Sequence, residues 1–263
     1  METREFLNTA EGFAEIIEEN NNSIKECYDD IIQCEDAQKK GIQLYDNDNA
    51  SVVLSSREDI VSDYIELVFA KYSAGVSIED IRNDYIVALN EMSTVFKEKT
   101  ADSFSYDDSE PYYSTDEYWE ILQIVALGVL LDVNEKESKQ IISIRDKVAT
   151  PDIILDFLCS HFDKRQYSNV QSIGDKYNGL AKVIEECTPE TPENASFIMK
   201  TYLNKEWFKD YKRQGFVATH NSKFNIHKGY WSFESGAIMK VLKADDSLLK
   251  GQQFYPYDMV NWR

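Results

Sequence analysis

The chain has 263 residues, enough for one large domain or two small ones, and its 43% apolar content supports a packed core rather than global disorder. Its 47 acids outweigh 28 bases for a net charge of −19, a balance that repels DNA and anionic membranes and attracts basic partners. Five prolines and ten glycines are few for a sandwich or barrel. No apolar run is long enough to cross a bilayer: the closest, Ile121 to Leu131, is too short and contains Gln123.

The periodicity is helical almost everywhere. Phe6 to Ile17 and Ile24 to Ile42 read as two amphipathic helices, or as one long pair broken near Asn20, Asn21 and Asn22. Tyr45 to Ser56 reads as a polar loop. Ser55 and Glu58 have capping-box spacing and open the next helix, which carries Ile60, Val61, Tyr64, Ile65, Val68 and Phe69 inward and ends at Gly75. Ser77 with Asp80 starts a helix that runs to about Lys99. Residues 100–114 break the pattern: they are acidic, aromatic and non-periodic, with Pro111 inside, and read as a linker. Ser114 and Glu117 form a second capping pair, followed by a helix apolar nearly all round and therefore expected to be buried centrally. Asn134 and Glu137 cap the next. Thr150 before Pro151 and Thr191 before Pro192 have the order of an N-cap followed by proline at the first helical position. Further helices are expected over about Pro151–Phe162, Ile173–Glu186 and Pro192–Lys212, with a loop over Val217–Asn225. Beyond Gly229, the apolar residues Phe233, Ala237 and Val241 recur at helical spacing. Asp245 and Asp246 precede a short capped helix that Gly251 stops, and Tyr255, Pro256, Tyr257 and Asp258 form an aromatic turn.

No repeat of fixed length is present, so a helical solenoid is disfavoured. The expectation is an all-α protein of roughly nine to eleven helices, divided into an N-terminal helical domain over 1–105 and a C-terminal helical domain over 115–263 that pack together.

The chemistry of a catalyst is hard to find. The nucleophilic serine elbow, the Walker loop, the dinucleotide glycine fingerprint and the zincin helix are absent. His161, His220 and His227 do not combine with Cys159 at familiar zinc spacings. Neither metal nor cofactor is expected. Cys27, Cys34, Cys159 and Cys187 are scattered; Cys27 and Cys34 would sit roughly 10 Å apart along a helix, too far for a disulfide. Reduced thiols, and the absence of a basic segment followed by an apolar one at the start, point to a cytoplasmic protein. Glu234, inside an aromatic cluster, is expected to be buried and hydrogen-bonded, because an unpartnered buried carboxylate is costly.

Charge is uneven: the first 150 residues carry net −20 and the last 63 carry +4. Within the linker and the start of the following helix, Tyr112 and Tyr113 stand among Asp102, Asp107, Asp108, Glu110 and Asp116. Aromatic anchors ringed by acids suit a basic protein partner, and these seven residues are the candidate binding site.

Three stretches near the C-terminus carry a resemblance: Gly229, Tyr230, Trp231, Ser232, Phe233 and Glu234; then Asp245, Asp246 and Ser247; then Tyr255, Pro256, Tyr257 and Asp258. Ala70 to Gly75 and the apolar helix Tyr118 to Val133 extend it upstream. Together they resemble the PoNe immunity proteins (PoNi), bacterial antitoxins against DNase effectors delivered by contact-dependent secretion, including type VI systems. One departure is the pair Ser235 and Gly236, where the family is expected to have small residues, usually alanine. The resemblance implies a non-enzymatic chain that binds and neutralises a basic DNase toxin by protein–protein contact, with no nucleic acid or membrane partner. It also implies that Gly229, Tyr230, Trp231, Phe233, Glu234, Asp245, Asp246, Tyr255, Pro256 and Asp258 are mainly structural. An acidic scaffold for another basic partner and an all-α hydrolase with scattered carboxylates remain the alternatives.

Overall fold

The computed structural model describes residues 2–99, 105–107, 110–147, 150–213 and 215–263, with 105–107 and 110–112 described by backbone path alone. Among these residues there are eleven α-helices, three short 3-10 turns and one small hairpin, so the fold is all-α. The chain divides into two compact units. The first is Met1–Lys99 with Thr219–Gly229, and the second is Thr100–Ala218 with Tyr230–Arg263.

The first unit is built on three helices: α1 (Ala10–Lys39), α2 (Asn49–Ser73) and α3 (Ile78–Glu98). α2 is the middle helix and packs on both others. The asparagines at 20–22 do not break α1. Asn20 is buried and its amide reaches the Asp63 carbonyl on α2, so packing overrides a weak local helix preference. Phe6 lies before the helix and is 85% exposed; Thr9 is the N-cap and accepts from Gly12 N at 3.0 Å. α2 starts earlier than Ser55. Asp48 accepts from Ser51 N at 2.9 Å and opens the helix, which shortens the expected loop. Ser77 caps α3 as expected, accepting from Asp80 N. Gly75, at φ +84°, supplies the left-handed turn between α2 and α3.

Residues 219–229 complete this unit. Asn225 donates to the Gly12 carbonyl and to Glu15, both at 2.9 Å, and Ser73 Oγ donates to the Lys228 carbonyl. His227 is buried between Thr219 Oγ1 at 2.8 Å and Glu5 Oε1 at 3.2 Å. These ties hold the N-terminal arm and the 219–229 segment against the helices.

The second unit opens with an antiparallel hairpin, β1 (Ser105–Asp107) and β2 (Glu110–Tyr112), where the sequence suggested an irregular linker. α4 (Thr115–Leu130) follows, capped by the Ser114–Glu117 box, and every residue from Ile121 to Leu131 is buried. α5 (Glu135–Arg145) is capped by the Asn134–Glu137 box. α6 (Ile153–Cys159) is capped by Asp152 rather than Thr150. α7 (Asn178–Glu186) follows a 3-10 turn over Gly174–Tyr177. α8 (Ala195–Lys205) and α9 (Trp207–Arg213) replace the single helix expected from Pro192. Thr191 instead bridges back to Thr188 in a tight turn, so it cannot cap. α10 (Phe233–Leu242) packs on α4 at the centre, and α11 (Tyr257–Val260) closes over α10.

Candidate functional site

Asp102 and Asp108 lie outside the described residues. For Asp107, Glu110 and Tyr112 the backbone register sets Asp107 opposite Glu110 and Ser105 opposite Tyr112. Asp116 is exposed in the first turn of α4. Tyr113, unlike Asp116, is buried. It is 5% exposed, and its hydroxyl sits 3.0 Å from both the Ile144 and Arg145 carbonyls, where it donates to the open C-terminal end of α5. Its ring therefore offers little surface to a partner.

From Tyr230 onward the C-terminal stretches belong to the second unit and supply much of its interior. Gly229 adopts φ +103°, a left-handed conformation that favours glycine, and leads into Tyr230. Tyr230 stands edge-on to Phe208 and Tyr211 at 5.2 and 5.4 Å. Trp231 is 8% exposed and Phe233 is fully buried. Glu234 begins α10, where the helix dipole favours a carboxylate. Its Oε1 accepts from Trp207 Nε1 at 2.8 Å and from Ser232 Oγ at 2.7 Å, and Gln123 on α4 bonds it as well. Burial raises its pKa in spite of these donors. Tyr202 lies between Glu234 and Asp210, and burial pushes Asp210 up to about 6. Glu234, Trp207, Tyr202 and Asp210 are all 5% exposed or less, so the two acids with raised pKa values and the tyrosine between them sit in the interior and do not line an open cleft.

The two aspartates after α10 divide their work. Asp245 is exposed, and its Oδ1 accepts from Ser247 N at 2.9 Å at the start of the Ser247–Leu249 turn. Asp246 is buried and accepts from Tyr255 Oη at 3.1 Å and Asn261 Nδ2 at 2.9 Å, which ties the aromatic turn to the body of the unit. Pro256 and Val260 lie over Gly236 so closely that a Cβ there would sit 2.8 Å from each. That approach accounts for glycine in the interior of α10. Asp258 is exposed on α11.

Sequence reasoning missed a polar network around α6. Asp152, 1% exposed, accepts five hydrogen bonds: Oδ1 takes Tyr118 Oη, Ile154 N and Leu155 N, and Oδ2 takes Ser172 N and Oγ. Asp156 Oδ1 bridges Arg145 at 2.9 Å and Arg165 at 3.3 Å, and Arg165 continues to Asp146 and Asp163. A cavity of about 460 Å³ opens beside this network, lined by Arg145, Asp146, Pro151, Asp156 and residues 166–168. The paired charges give it no clear preference for a charged ligand. The one available signal was the 152/156 spacing, two aspartates one helical turn apart.

Among the described residues, no group of three or more histidine, cysteine, aspartate or glutamate side chains could hold a metal ion. Among the described residues, no helix is long and apolar enough to cross a membrane. The four cysteines are free, and burial pushes Cys159 up to about 12, an unreactive thiol. What the surface does offer is acidity. α1 carries nine acids against two lysines, and Glu11, Glu15, Glu18, Asp29 and Asp36 are exposed along its outer side.

A family model described as PoNe immunity protein (PoNi), N-terminal, matches residues 4–143, and one described as PoNe immunity proteins (PoNi), C-terminal, matches residues 150–259. Among solved structures, the crystal structure of protein PA2201 from Pseudomonas aeruginosa is similar over 100% of this chain and 98% of that one, with a TM-score of 0.62 and 15% identity. At that identity the likeness is one of fold. No curated protein matches.

Proposed function

The chain belongs to the PoNe immunity protein family, and we propose that it binds and neutralises a cognate DNase-type toxin delivered by contact-dependent secretion, a type VI system among the candidates. The observation that carries this reading is the pair of family matches, which together cover nearly the whole chain. The chemistry is consistent with it. A nuclease must present a basic face to DNA, and an acidic protein meets such a face with complementary charge. Neutralisation needs no turnover, only a stable scaffold and a binding surface, so the chain acts in the cytoplasm as a stoichiometric blocker. The acids and Tyr112 of the 102–117 segment are one candidate part of that surface, with Asp102, Asp107, Asp108, Glu110 and Asp116 supplying charge. The two domains are proposed to follow the division 1–105 and 115–263.

The test is rescue. A candidate DNase toxin, expressed in a bacterial host, should stop growth and degrade chromosomal DNA; co-expression of the chain should restore growth and intact DNA. Degradation that continues in the presence of excess folded chain would end the immunity reading.

A further inference from the structure

The loop that joins α1 to α2 holds three apolar side chains in water. Ile42 is 52% exposed, and Leu44 and Tyr45 are each 44% exposed. Single exposed hydrophobics are ordinary, but three within four positions make a patch.

The backbone beneath them is fixed. Buried Asn49 donates through Nδ2 to the Ile42 carbonyl at 2.7 Å and accepts Leu44 N on Oδ1 at 3.1 Å. Gln43 Nε2 donates to the Tyr45 carbonyl at 3.0 Å, and Tyr45 Oη donates to Asp30 Oδ1 on α1 at 3.2 Å. Ile42 N returns to the Ala37 carbonyl across Gly41, at φ +70°. None of these bonds uses the side chain of Ile42 or Leu44. The loop would be braced equally well with polar residues there, so folding does not explain the apolar pair. A rigid loop that presents apolar and tyrosine side chains is preorganised for binding, because little freedom remains to be lost when a partner arrives.

The rim decides what kind of partner fits. Asp30 accepts from Tyr45, Asp46 and Asp48 follow in the same loop, and of the two bases that precede it, Lys39 is paired with Asp36. The adjoining α1 is strongly acidic. A second copy would set acid against acid, and nucleic acid or an anionic membrane would be repelled. We propose that the 42–45 loop tip is a docking surface of the first unit for a basic protein, and that this protein is the toxin. The assignment rests on the immunity reading above and gives it a place on the chain. Apolar contact at Ile42, Leu44 and Tyr45 holds the complex, while the acids around them speed encounter.

The experiment uses the full chain and the DNase toxin whose killing it rescues, carrying an inactivating substitution, with kinetics followed by surface plasmon resonance. Tyr45→Ala and Leu44→Ser should each weaken binding about tenfold through faster dissociation, and Ile42→Ser combined with both should weaken it at least about a hundredfold. Asp46→Lys should slow association severalfold at low salt. All four variants should stay folded, with at most a small fall in melting temperature where Tyr45 loses its exposed bond to Asp30, and Tyr45→Phe, which loses the bond but keeps the ring, should bind nearly as the parent does. Phe197→Ser, at a 70% exposed position on α8, is the control and should bind within twofold of the parent. Parent-like binding by the loop variants, with the parent itself binding and rescuing, would overturn the docking surface and leave the immunity reading standing. A parent chain that neither binds nor rescues removes both. Light scattering closes the remaining route: a homodimer that the loop substitutions dissociate, with toxin binding untouched, would assign the patch to a second copy and overturn the proposal.

Discussion

Trp207 Nε1 donates to Glu234 Oε1 at 2.8 Å, joining the first residue of α9 to the second residue of α10 inside the second unit. Ser232 Oγ donates to the same oxygen, and Ser235 Oγ lies 2.6 Å from Ser232 Oγ. The donors to Glu234 are the Trp207 indole, the Ser232 hydroxyl and the Gln123 side chain, all neutral groups. That arrangement ties α9 to the start of α10.

The pH dependence of stability follows from this burial. A carboxyl whose folded pKa is raised binds its proton more tightly when folded than when unfolded. Its stabilising contribution is therefore full below the ordinary value near 4.5 and is lost as pH rises through the raised one. Glu234→Gln removes the titration and keeps an oxygen for Trp207. Its melting temperature should match the parent's in acid and move above it as pH climbs to neutral. Asp210 behaves likewise between its ordinary 3.8 and about 6, and Asp210→Asn should flatten that window. Glu234→Ala strands the Trp207 donor and should cost about 1–3 kcal/mol. Melting curves across the range decide it; a parent profile no steeper than that of Glu234→Gln would contradict the assignment.

Trp231→Ala should cost about 3–5 kcal/mol, since it empties a site that is 8% exposed. For a unit of this size that corresponds to a fall in melting temperature of roughly 10 °C. A variant that melts like the parent but no longer protects against toxin would make Trp231 an interface residue instead.

Gly236→Ala sets two effects against each other. Alanine gains about 1 kcal/mol of helix propensity, but its Cβ would meet Pro256 Cγ and Val260 Cγ2 at 2.8 Å, and overpacking of this kind costs about 1–3 kcal/mol. The substitution should destabilise, and Val260→Ala in the same chain should recover part of the loss. Additive losses in the double variant would show that the contact is not the cause.

The parts of the fold written in local chemistry were legible in the sequence. The capping boxes at Ser114–Glu117 and Asn134–Glu137, the Ser77 cap and the apolar run of α4 all form as their spacing suggests, because each signal is complete within one or two helical turns. The failures share a different cause. Asn20 stays helical because of a partner on α2, 43 residues away, and Asp152 displaces Thr150 as a cap because Tyr118 and Ser172 help to solvate its carboxylate. Ser55 and Glu58 have the right spacing, but Asp48 starts the helix first. Among candidate site residues, aromatic character alone could not separate Tyr113, a buried peg on α5, from an exposed anchor. The loop at 42–45 escaped notice because its meaning lies in exposure, which has no local signature.

Electrostatic attraction should dominate encounter with the toxin. Association should slow as salt rises from low to physiological ionic strength, where exposed charges are screened beyond about 8 Å. Charge reversal at Asp107, Asp108 and Glu110 should slow it further and leave dissociation little changed. Tyr113→Phe separates structure from binding. Losing the hydroxyl that donates to the end of α5 should lower the melting temperature, by about 1 kcal/mol of stability, while both rate constants stay within twofold of the parent. Stopped-flow or resonance kinetics at several salt concentrations would read all three effects together. Association independent of salt would remove charge as the driving term and shift weight to apolar contact alone.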